Sequence, residues 1–526
     1  MLDIKNAIVC MFDSWQYNYT GCYGNDWIKT PNFDRFAREG VLFENAYGNN
    51  MPTLPVRRSM MTGRFTLQDI GWGPLRPSDT TISDLCWGRG IDTILVYNNP
   101  MMFQGKSDFA RGYARVMFSR GFDHFYFIND ELYSHYNVDQ FLSDEGFMDR
   151  VRALPHGKAL EAMNREEYNL YLRDKQYWKC DDDHTVAVNI HEAIKMLLNR
   201  DKEHSMFMWI DNWDPHEPWD PPSVWTEGMK CPYDPDYEGA DLWLPPMAPT
   251  EDLYTEPQLH HVRMLFAEKI TLCDKYFGQL CDAIKKEGMW ANTLLWLTSD
   301  HGEPLGNGEH GHGLMTKCRP WPYEELVHIP LIIKYPACPA GKRIQGFVQD
   351  CDCAPTVLDW LGVPIPANMQ GKSLLPLIRG EVEKVYDFAI AGYYSLSESI
   401  ITEEWSYIHW LDKMDRKDAG GEVAVKMYGS IADAWAECGE GMQEILEYHE
   451  FNAKNAEEDY KAAHSLDGSE QWTCTPGAIA EVPQGDELYY RKDDLFQLHN
   501  VIAEHPDIAA EMLSKLNAYM EDLRNS

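Results

Sequence analysis

The sequence is poor in basic residues and contains no long apolar run. Lys and Arg number 47 among the 526 residues, against 83 Asp and Glu, so the formal net charge is −36. A negative field of this strength repels phosphate backbones and anionic lipid surfaces. No apolar stretch approaches the length that spans a bilayer. The composition therefore excludes nucleic acid and membranes as expected partners and leaves small ligands, including a small anion in a local basic pocket.

Paired cysteines are missing as well. The 13 cysteines are scattered singly except for Cys351 and Cys353, and no CxxC pair or zinc-finger spacing occurs. An odd number of cysteines without such a framework favours reduced thiols over disulfides. The apolar stretch at residues 7–12 is too short for the hydrophobic region of a signal peptide followed by a cleavage site. We therefore expect a cytoplasmic protein.

Short apolar runs and helix signals predict an α/β fold. The runs are typical of strands buried on both faces of a parallel sheet, and they occupy residues 7–12, 93–96, 206–210, 293–298 and 330–333. Helix signals occupy residues 31–40, 184–199 and 259–286. Strands that alternate with helices predict a doubly wound, mostly parallel sheet.

The length of the chain is too great for one ordinary core, and the sequence changes character after residue 380. A short aromatic strand at 405–410, an acidic helical segment at 431–460 and a final helix at 506–523 predict a smaller C-terminal α+β subdomain. We therefore divide the chain into a main domain, 1–380, and a C-terminal subdomain, 381–526. The segment 111–179 is rich in charged and aromatic residues, which indicates an insertion or a lid.

Ligand-type side chains follow two of the predicted strands. Asp13 comes directly after the run 7–12, and Asp300 with His301 comes after the run 293–298. Ligands of open α/β sheets bind beyond the carboxyl ends of the strands. Two carboxylates and an imidazole could hold a divalent metal ion, and the hydroxyl of Thr53 could be a fourth ligand. Taken singly, an Asp after a strand is more often a helix cap, and Asp-His-Gly more often a turn.

An ordered series of motifs resembles the sulfatase family of the alkaline phosphatase superfamily. The segment from Thr53 to Arg64, Thr-Leu-Pro-Val-Arg-Arg-Ser-Met-Met-Thr-Gly-Arg, is similar to the family's nucleophile motif, which begins with Cys or Ser and has Pro and Arg at the same spacing. The other matching segments are residues 21–24, 30–40, 43–47, 298–302, 317, 323–325, 352–356, 371–374 and 487–489. The series implies an alkaline-phosphatase-like fold over most of the chain.

The resemblance gives a role to single residues. It implies that Thr53 is the nucleophile and that Arg57 and Lys317 stabilise charge on the transferred group. His216, in the segment Asp-Pro-His-Glu-Pro, could protonate the leaving group. In isolation each of these cations would more often lie on the surface. The implied ligands of one divalent metal ion are Asp13, Thr53, Asp300 and His301.

Three positions depart from the usual sulfatase pattern. Ser14 stands where sulfatases have a second aspartate, and His301 stands where they commonly have asparagine. An imidazole ligand favours manganese, zinc or iron over calcium. Asn98-Asn-Pro100 stands where a Lys-x-His pair usually contacts sulfate. The resulting ligand set is closest to the branch of phosphonate monoester hydrolases and phosphodiesterases.

Three hypotheses about function follow. The first is a metal-dependent hydrolase that cleaves phosphate diesters or phosphonate monoesters through a covalent phosphothreonine at Thr53. The alternative is a sulfatase that acts on a small sulfate ester. The third is a catalytically silent protein that kept the fold, although a silent site should have lost its ligands. In the enzyme hypotheses the partner is a small anionic ester, and the oligomeric state stays open, with a homo-oligomer among the alternatives.

A two-metal arrangement, as in alkaline phosphatases, is a weaker alternative. Asp211 or Asp214 with His216 would build the second site, with His312 as a further candidate. Lys317 opposes this arrangement because the matching lysine of the family would supply positive charge where the second metal would lie. His310 and His312 belong to a Glu-His-Gly-His-Gly segment that has the composition of a flexible loop.

Overall fold

A computed structural model of the chain describes residues 4–67, 75, 78–103, 108–119, 146–153, 161, 165, 168, 171, 172, 175, 178–245, 250, 253–306, 312–316, 321–394, 396–411 and 485–525. None of the helices in these ranges is long and apolar enough to cross a membrane. The ten cysteines in these ranges are free thiols. Cys318, Cys438 and Cys474 lie outside them.

An eight-stranded central sheet organises the larger part of the chain. Its strands are β1 (Asn6–Asp13), β2 (Val41–Tyr47), β3 (Asp92–Tyr97), β4 (Arg115–Phe118), β5 (Met206–Pro215), β6 (Thr293–Ser299), β7 (Leu331–Lys334) and β8 (Lys342–Gln349). The spatial order is β4-β3-β5-β1-β6-β7-β2-β8. β7 runs antiparallel to both of its neighbours, and the other pairs are parallel. β1 therefore lies in the middle, with β5 and β6 beside it.

Helices cover both faces of this sheet. In chain order they are α1 (Pro31–Glu39), α2 (Leu54–Thr62), α3 (Ile82–Trp87), α4 (Pro100–Phe103), α5 (Phe147–Ala153), α6 (Thr185–Leu198), α7 (Pro222–Trp225), α8 (Glu256–Lys286), α9 (Glu324–Val327), α10 (Cys353–Leu361) and α11 (Leu375–Arg379). Short 3₁₀ turns occupy Gly21–Tyr23, Asp181–Asp183, Met289–Ala291 and Asp350–Asp352.

β1 shows why the sheet is double-sided. All eight of its residues are buried, because alternate side chains point into two different cores. Ile8, Cys10 and Phe12 belong to the core that α1, α6 and α8 complete. Ala7, Val9 and Met11 belong to the core on the other face, which α2, α3 and α10 complete. A strand without a polar face is what a parallel sheet with helices on both sides requires.

A second, four-stranded antiparallel sheet follows the main sheet in the chain. It has the order β12-β11-β10-β9 and consists of β9 (Ala389–Tyr393), β10 (Ser397–Ile401), β11 (Trp405–Trp410) and β12 (Glu487–Tyr490). The final helix, α12 (Pro506–Asn525), packs its apolar side, including Met512 and Leu516, on this sheet.

The predicted fold class is confirmed: a mostly parallel sheet with helices on both faces and a small C-terminal sheet. Each predicted strand and helix within the described ranges is present. The predicted insertion 111–179 begins with β4, which is an edge strand of the central sheet, and much of the rest lies outside the described residues. The predicted acidic helix at 431–460 also lies outside them. The boundary at residue 380 stays a prediction.

Candidate active site

The carboxyl end of β1 places Asp13 at the centre of a buried polar group. Its side chain has no exposed surface, and its carboxylate accepts hydrogen bonds from Arg57 at 2.9 Å, Asn99 at 3.0 Å and Ser14 at 3.0 Å. Ser14 adopts a left-handed backbone with φ 63°, and its N–H donates to Asp300 at 3.1 Å. Ser14 therefore supports the two aspartates and stands in the place of a second carboxylate ligand.

Strand β6, which pairs with β1 in the sheet, ends directly before Asp300 and His301. Nδ1 of His301 lies 2.7 Å from the carbonyl oxygen of Gly302. Since a carbonyl only accepts, Nδ1 donates this hydrogen bond, and Nε2 is the nitrogen that faces the two aspartates. Nε2 lies 3.4 Å from an oxygen of Asp300 and 3.7 Å from an oxygen of Asp13. The three side chains can therefore offer three ligand atoms to one ion, and these atoms lie within 4.8 Å of one another.

Thr53 lies at the N-terminus of α2, next to these ligands. Its side chain is buried, and its hydroxyl oxygen lies 3.3 Å from Nε2 of His301. Its backbone has φ 44° and ψ −86°, a conformation that costs energy in a β-branched residue and that proteins retain chiefly at functional sites. The hydroxyl therefore lies beside the candidate metal ligands, at the positive end of the helix dipole.

Arg57, one turn further along α2, joins three buried carboxylates. Its guanidinium donates two hydrogen bonds to Asp211 at 2.8 and 2.9 Å, one to Asp300 at 2.6 Å and one to Asp13 at 2.9 Å. A fork of this kind fits a carboxylate in both geometry and charge. We call Asp13, Arg57, Asp211, Asp300 and His301 the Arg57 cluster.

The charge of the Arg57 cluster fits a divalent cation. The three carboxylates have no exposed surface, and one guanidinium leaves these side chains with a formal charge of −2. A buried group of carboxylates favours the binding of a cation. Carboxylate oxygens together with an imidazole nitrogen are also a common donor set for manganese, iron and zinc. The buried charge and the donor atoms thus point to the same kind of ligand.

His216 lies on the segment that follows β5. Pro215 pairs with Asp13 in the register of β5 and β1, so His216 directly follows the residue opposite Asp13. Nδ1 of His216 lies 2.6 Å from the carbonyl oxygen of Glu217, and its ring stacks on Trp213 with 3.6 Å between the ring centroids. The proton that His216 could give to a leaving group is therefore carried on Nε2. Lys317 and His310 lie outside the described residues.

Three side chains of the two-metal alternative have different partners. Asp211 binds Arg57, and Asp214 forms an ion pair with Lys269 at 2.7 Å. His312 lies 2.7 Å from Glu325 and 2.8 Å from the carbonyl oxygen of Gln497. Within the described ranges, the second group of possible ligands is His184, Asp214 and Asp220, which includes neither His216 nor His312. The second site as predicted from the sequence, with His216 or His312 as a ligand, is therefore not found among the described residues.

The sequence gives Asn98, Asn99 and Asp211 roles other than those the structure shows. Asn98 and Asn99 stand there only for a lost sulfate contact, yet Asn99 binds Asp13, and Asn98 accepts a hydrogen bond from the N–H of Trp213 at 2.6 Å. Asp211 stands there only as a possible ligand of a second metal, yet it binds Arg57. Asn98 and Asn99 follow β3, and Asp211 follows the apolar run 206–210, a signal that becomes specific only when the strand order is known.

Comparison with protein families identifies the family of the chain and the class of reaction that it catalyses. The family model described as Sulfatase matches residues 5–363. The chain belongs to the sulfatase family. It is a hydrolase of ester bonds, and the predicted membership in the alkaline phosphatase superfamily is confirmed.

The relatives of this sulfatase-family chain carry names of two kinds. An N-acetylglucosamine-6-O-sulfatase of Bacteroides thetaiotaomicron is 25% identical and covers 78% of this chain and 79% of its own length. A multifunctional alkaline phosphatase superfamily protein of Trinickia caryophylli is 24% identical, with 75% and 83% covered. An arylsulfatase of Clostridium perfringens is 25% identical, with 75% and 82% covered.

Solved structures have the same fold. The phosphonate monoester hydrolase of Agrobacterium radiobacter aligns with a TM-score of 0.63 at 17% identity, over 99% of this chain and 96% of that one. A protein solved with its substrate D-glucosamine-2-N,6-O-disulfate aligns with a TM-score of 0.61 at 19% identity, over 99% of both chains. These similarities establish the architecture.

Proposed function

We propose that the chain hydrolyses phosphate diesters or phosphonate monoesters, with Thr53 as the nucleophile. The observation that carries the proposal is the position of the Thr53 hydroxyl, 3.3 Å from Nε2 of His301 at the edge of a buried cluster with a formal charge of −2. A nucleophile that lies beside metal ligands is the arrangement that ester hydrolysis of this type needs.

The ligands Asp13, Asp300, His301 and Thr53 would hold one divalent ion, with manganese, zinc or iron favoured by the imidazole. When bound, this ion lowers the pKa of the Thr53 hydroxyl and compensates charge on the ester oxygens. Arg57 orients the two aspartates through its own hydrogen bonds. His216 gives a proton to the departing oxygen, and Lys317 adds positive charge at the transferred group.

The identity of residue 53 favours phosphorus over sulfur as the reacting centre. Sulfatase maturation oxidises Cys or Ser to an aldehyde, whose hydrate attacks sulfur and later expels sulfate by elimination. Thr carries a methyl group on its β-carbon, so the same oxidation would produce a ketone, which forms a hydrate poorly. Unmodified Thr53 forms a simple ester, and water can attack a phosphothreonine at phosphorus to complete the reaction.

A sulfatase that acts on a small sulfate ester is the second candidate. The comparisons favour it over the hydrolysis of phosphate diesters or phosphonate monoesters. Two of the three relatives described above are named as sulfatases. The replacement of the Lys-x-His pair by Asn98 and Asn99, with Asn99 bound to Asp13, speaks against sulfate. At about 25% identity, the names of relatives indicate the family more reliably than the substrate. We therefore rank the phosphorus ester above the sulfate ester on the identity and surroundings of residue 53.

A rate panel on matched aryl esters separates the two candidates. The substrates are a phosphate monoester, a phosphate diester, a phosphonate monoester and a sulfate ester of 4-nitrophenol, each assayed after chelation and return of single metals. We expect the diester or the phosphonate to have the highest kcat/KM, with manganese, zinc or iron more effective than calcium. The highest kcat/KM for the sulfate ester would instead establish the sulfatase. Thr53→Ser serves as the control that keeps a hydroxyl nucleophile.

A further inference from the structure

A second buried charge cluster lies behind the segment that carries His216. Lys269, in the middle of α8, is buried and approaches both ends of the segment from Asp214 to Asp220. Its ammonium forms an ion pair with Asp214 at 2.7 Å, donates to the carbonyl oxygen of Pro218 at 2.7 Å and donates to Asp220. We call His184, Asp214, Asp220 and Lys269 the Lys269 cluster.

The ammonium takes the place that a metal ion would take among these ligand-type side chains. His184, Asp214 and Asp220 offer ligand atoms within 4.8 Å of one another, and all three are buried. Burial lowers the pKa of His184 to about 3, so its imidazole is neutral at ordinary pH. The positive charge between the two carboxylates is therefore that of Lys269, whose pKa the two carboxylates raise against the opposing effect of burial.

Further contacts attach the same segment to its surroundings. The hydroxyl of Thr185 donates to Asp214 at 2.7 Å, and the hydroxyl of Tyr171 donates to Asp220. Glu268, the residue before Lys269, accepts hydrogen bonds from the N–H and the hydroxyl of Ser223 at 3.1 and 2.5 Å. Two consecutive residues of α8 therefore hold the chain from Asp214 to Ser223.

We propose that Lys269 is a positioning residue that holds the imidazole of His216 at the active site. The segment it closes has only seven residues, and His216 lies within it, stacked on Trp213 at 3.6 Å. The segment begins beside Pro215, which pairs with Asp13. Movement of either end therefore moves His216 relative to the metal ligands. The inference rests on the proposed function in one respect, the proton that His216 gives to the leaving group.

The test compares Lys269→Met with Lys275→Met, a matched control on the same helix. Lys275 is half-exposed and forms a surface ion pair with Asp181 at 2.8 Å. Asp220→Asn is the second variant, because it weakens the same contact with little change of shape and keeps the question answerable if Lys269→Met does not fold. Each variant is assayed with two ester substrates that differ only in the leaving group, which is 4-nitrophenol in one and unsubstituted phenol in the other.

We expect kcat of Lys269→Met to fall about 100-fold for the phenol ester and less than about 5-fold for the 4-nitrophenol ester, which needs no general acid. Asp220→Asn should show the same pattern with a smaller loss, and Lys275→Met should match the wild type with both esters. Equal losses with both esters would show that the effect of Lys269 does not act through protonation of the leaving group.

A spectrum of the histidine side chains separates this inference from the proposed function. The Trp213 ring shifts the imidazole signals of His216 in ¹⁵N-labelled protein, so displacement of His216 moves them whether or not an ester is turned over. The signals should move in Lys269→Met and Asp220→Asn and stay in place in Lys275→Met. Unmoved signals in the first two variants would overturn the inference. Moved signals together with equal kinetic losses would support the positioning and refute the role of His216 as an acid.

Discussion

The Arg57 cluster and the Lys269 cluster both bury aspartates around one positively charged side chain, but they differ in formal charge. The first has three carboxylates and one guanidinium, with a formal charge of −2. The second has two carboxylates and one ammonium, with a formal charge of −1 and a neutral imidazole. The lower formal charge of the Lys269 cluster, whose ligand-type side chains already surround an ammonium, makes the Arg57 cluster the better candidate for a divalent cation.

The largest effect should come from the nucleophile beside the Arg57 cluster. Thr53→Ala should lower kcat at least about 1,000-fold, because binding and electrostatics alone leave only a residual rate. Metal content should stay near that of the wild type, since Asp13, Asp300 and His301 remain. Thr53→Ser should keep a substantial fraction of the activity. A Thr53→Ala variant that retains more than a tenth of wild-type kcat would show that another group attacks the ester.

Loss of one charge should destabilise the Lys269 cluster much more than the Arg57 cluster. Lys269→Met should lower the free energy of unfolding by about 3 kcal/mol or more, because it leaves buried carboxylates without a counter-charge. In metal-free protein, Asp13→Asn should change the free energy by less than about 1 kcal/mol, because it also relieves repulsion between like charges. Chemical denaturation after chelation measures both.

Return of metal sharpens this contrast. The wild type and Lys269→Met should both gain stability on addition of manganese or zinc, since ligands that bind the folded state stabilise it. Asp13→Asn should gain little. If Asp13→Asn destabilises the metal-free protein as strongly as Lys269→Met does, the two clusters are equivalent and the charge argument for the metal site is wrong.

The sequence alone predicts much of the Arg57 cluster, but it does not predict the Lys269 cluster. Asp13, Asp300 and His301 each follow a short apolar run, and the carboxyl ends of parallel strands meet at one edge of the sheet. Asn99 follows β3, and Asp211 directly follows the apolar run 206–210, yet their closeness to Asp13 depends on the order β3-β5-β1, which joins segments far apart in the chain. No periodicity in a single sequence reports that order.

Lys269 could not be predicted because its surroundings are made by tertiary contacts alone. It lies within a 31-residue helix whose other buried positions are mostly apolar. A lysine in a helix is ordinarily a surface residue. Its partners come from the end of β5 and the segment after it, about 50 residues earlier in the chain. The local sequence contains no sign of them.

The acid role of His216 should appear as a dependence on the leaving group. His216→Ala should lower kcat about 100-fold for a phenol ester and much less for a 4-nitrophenol ester, within the range that general acids contribute. A plot of log kcat against leaving-group pKa should be steeper for the variant than for the wild type. Parallel plots would assign His216 to binding.

The smallest effect should come from exposed ion pairs on the same helix that carries Lys269. Lys275 pairs with Asp181 at 2.8 Å, and both side chains are partly exposed. Lys275→Ala should change the free energy of unfolding by less than about 1 kcal/mol, because exposed pairs contribute little. A loss as large as that of Lys269→Met would mean that α8 responds to any substitution, which would remove the meaning of the comparison.

Elemental analysis of the purified protein and two variants tests the central claim most directly. The account predicts about one equivalent of manganese, zinc or iron per wild-type chain, little or none in Asp300→Ala, and about one in Asp214→Asn. Asp214→Asn removes a ligand-type residue from the Lys269 cluster only. Two equivalents in the wild type with one lost in Asp214→Asn, or full metal content in Asp300→Ala, would contradict the account.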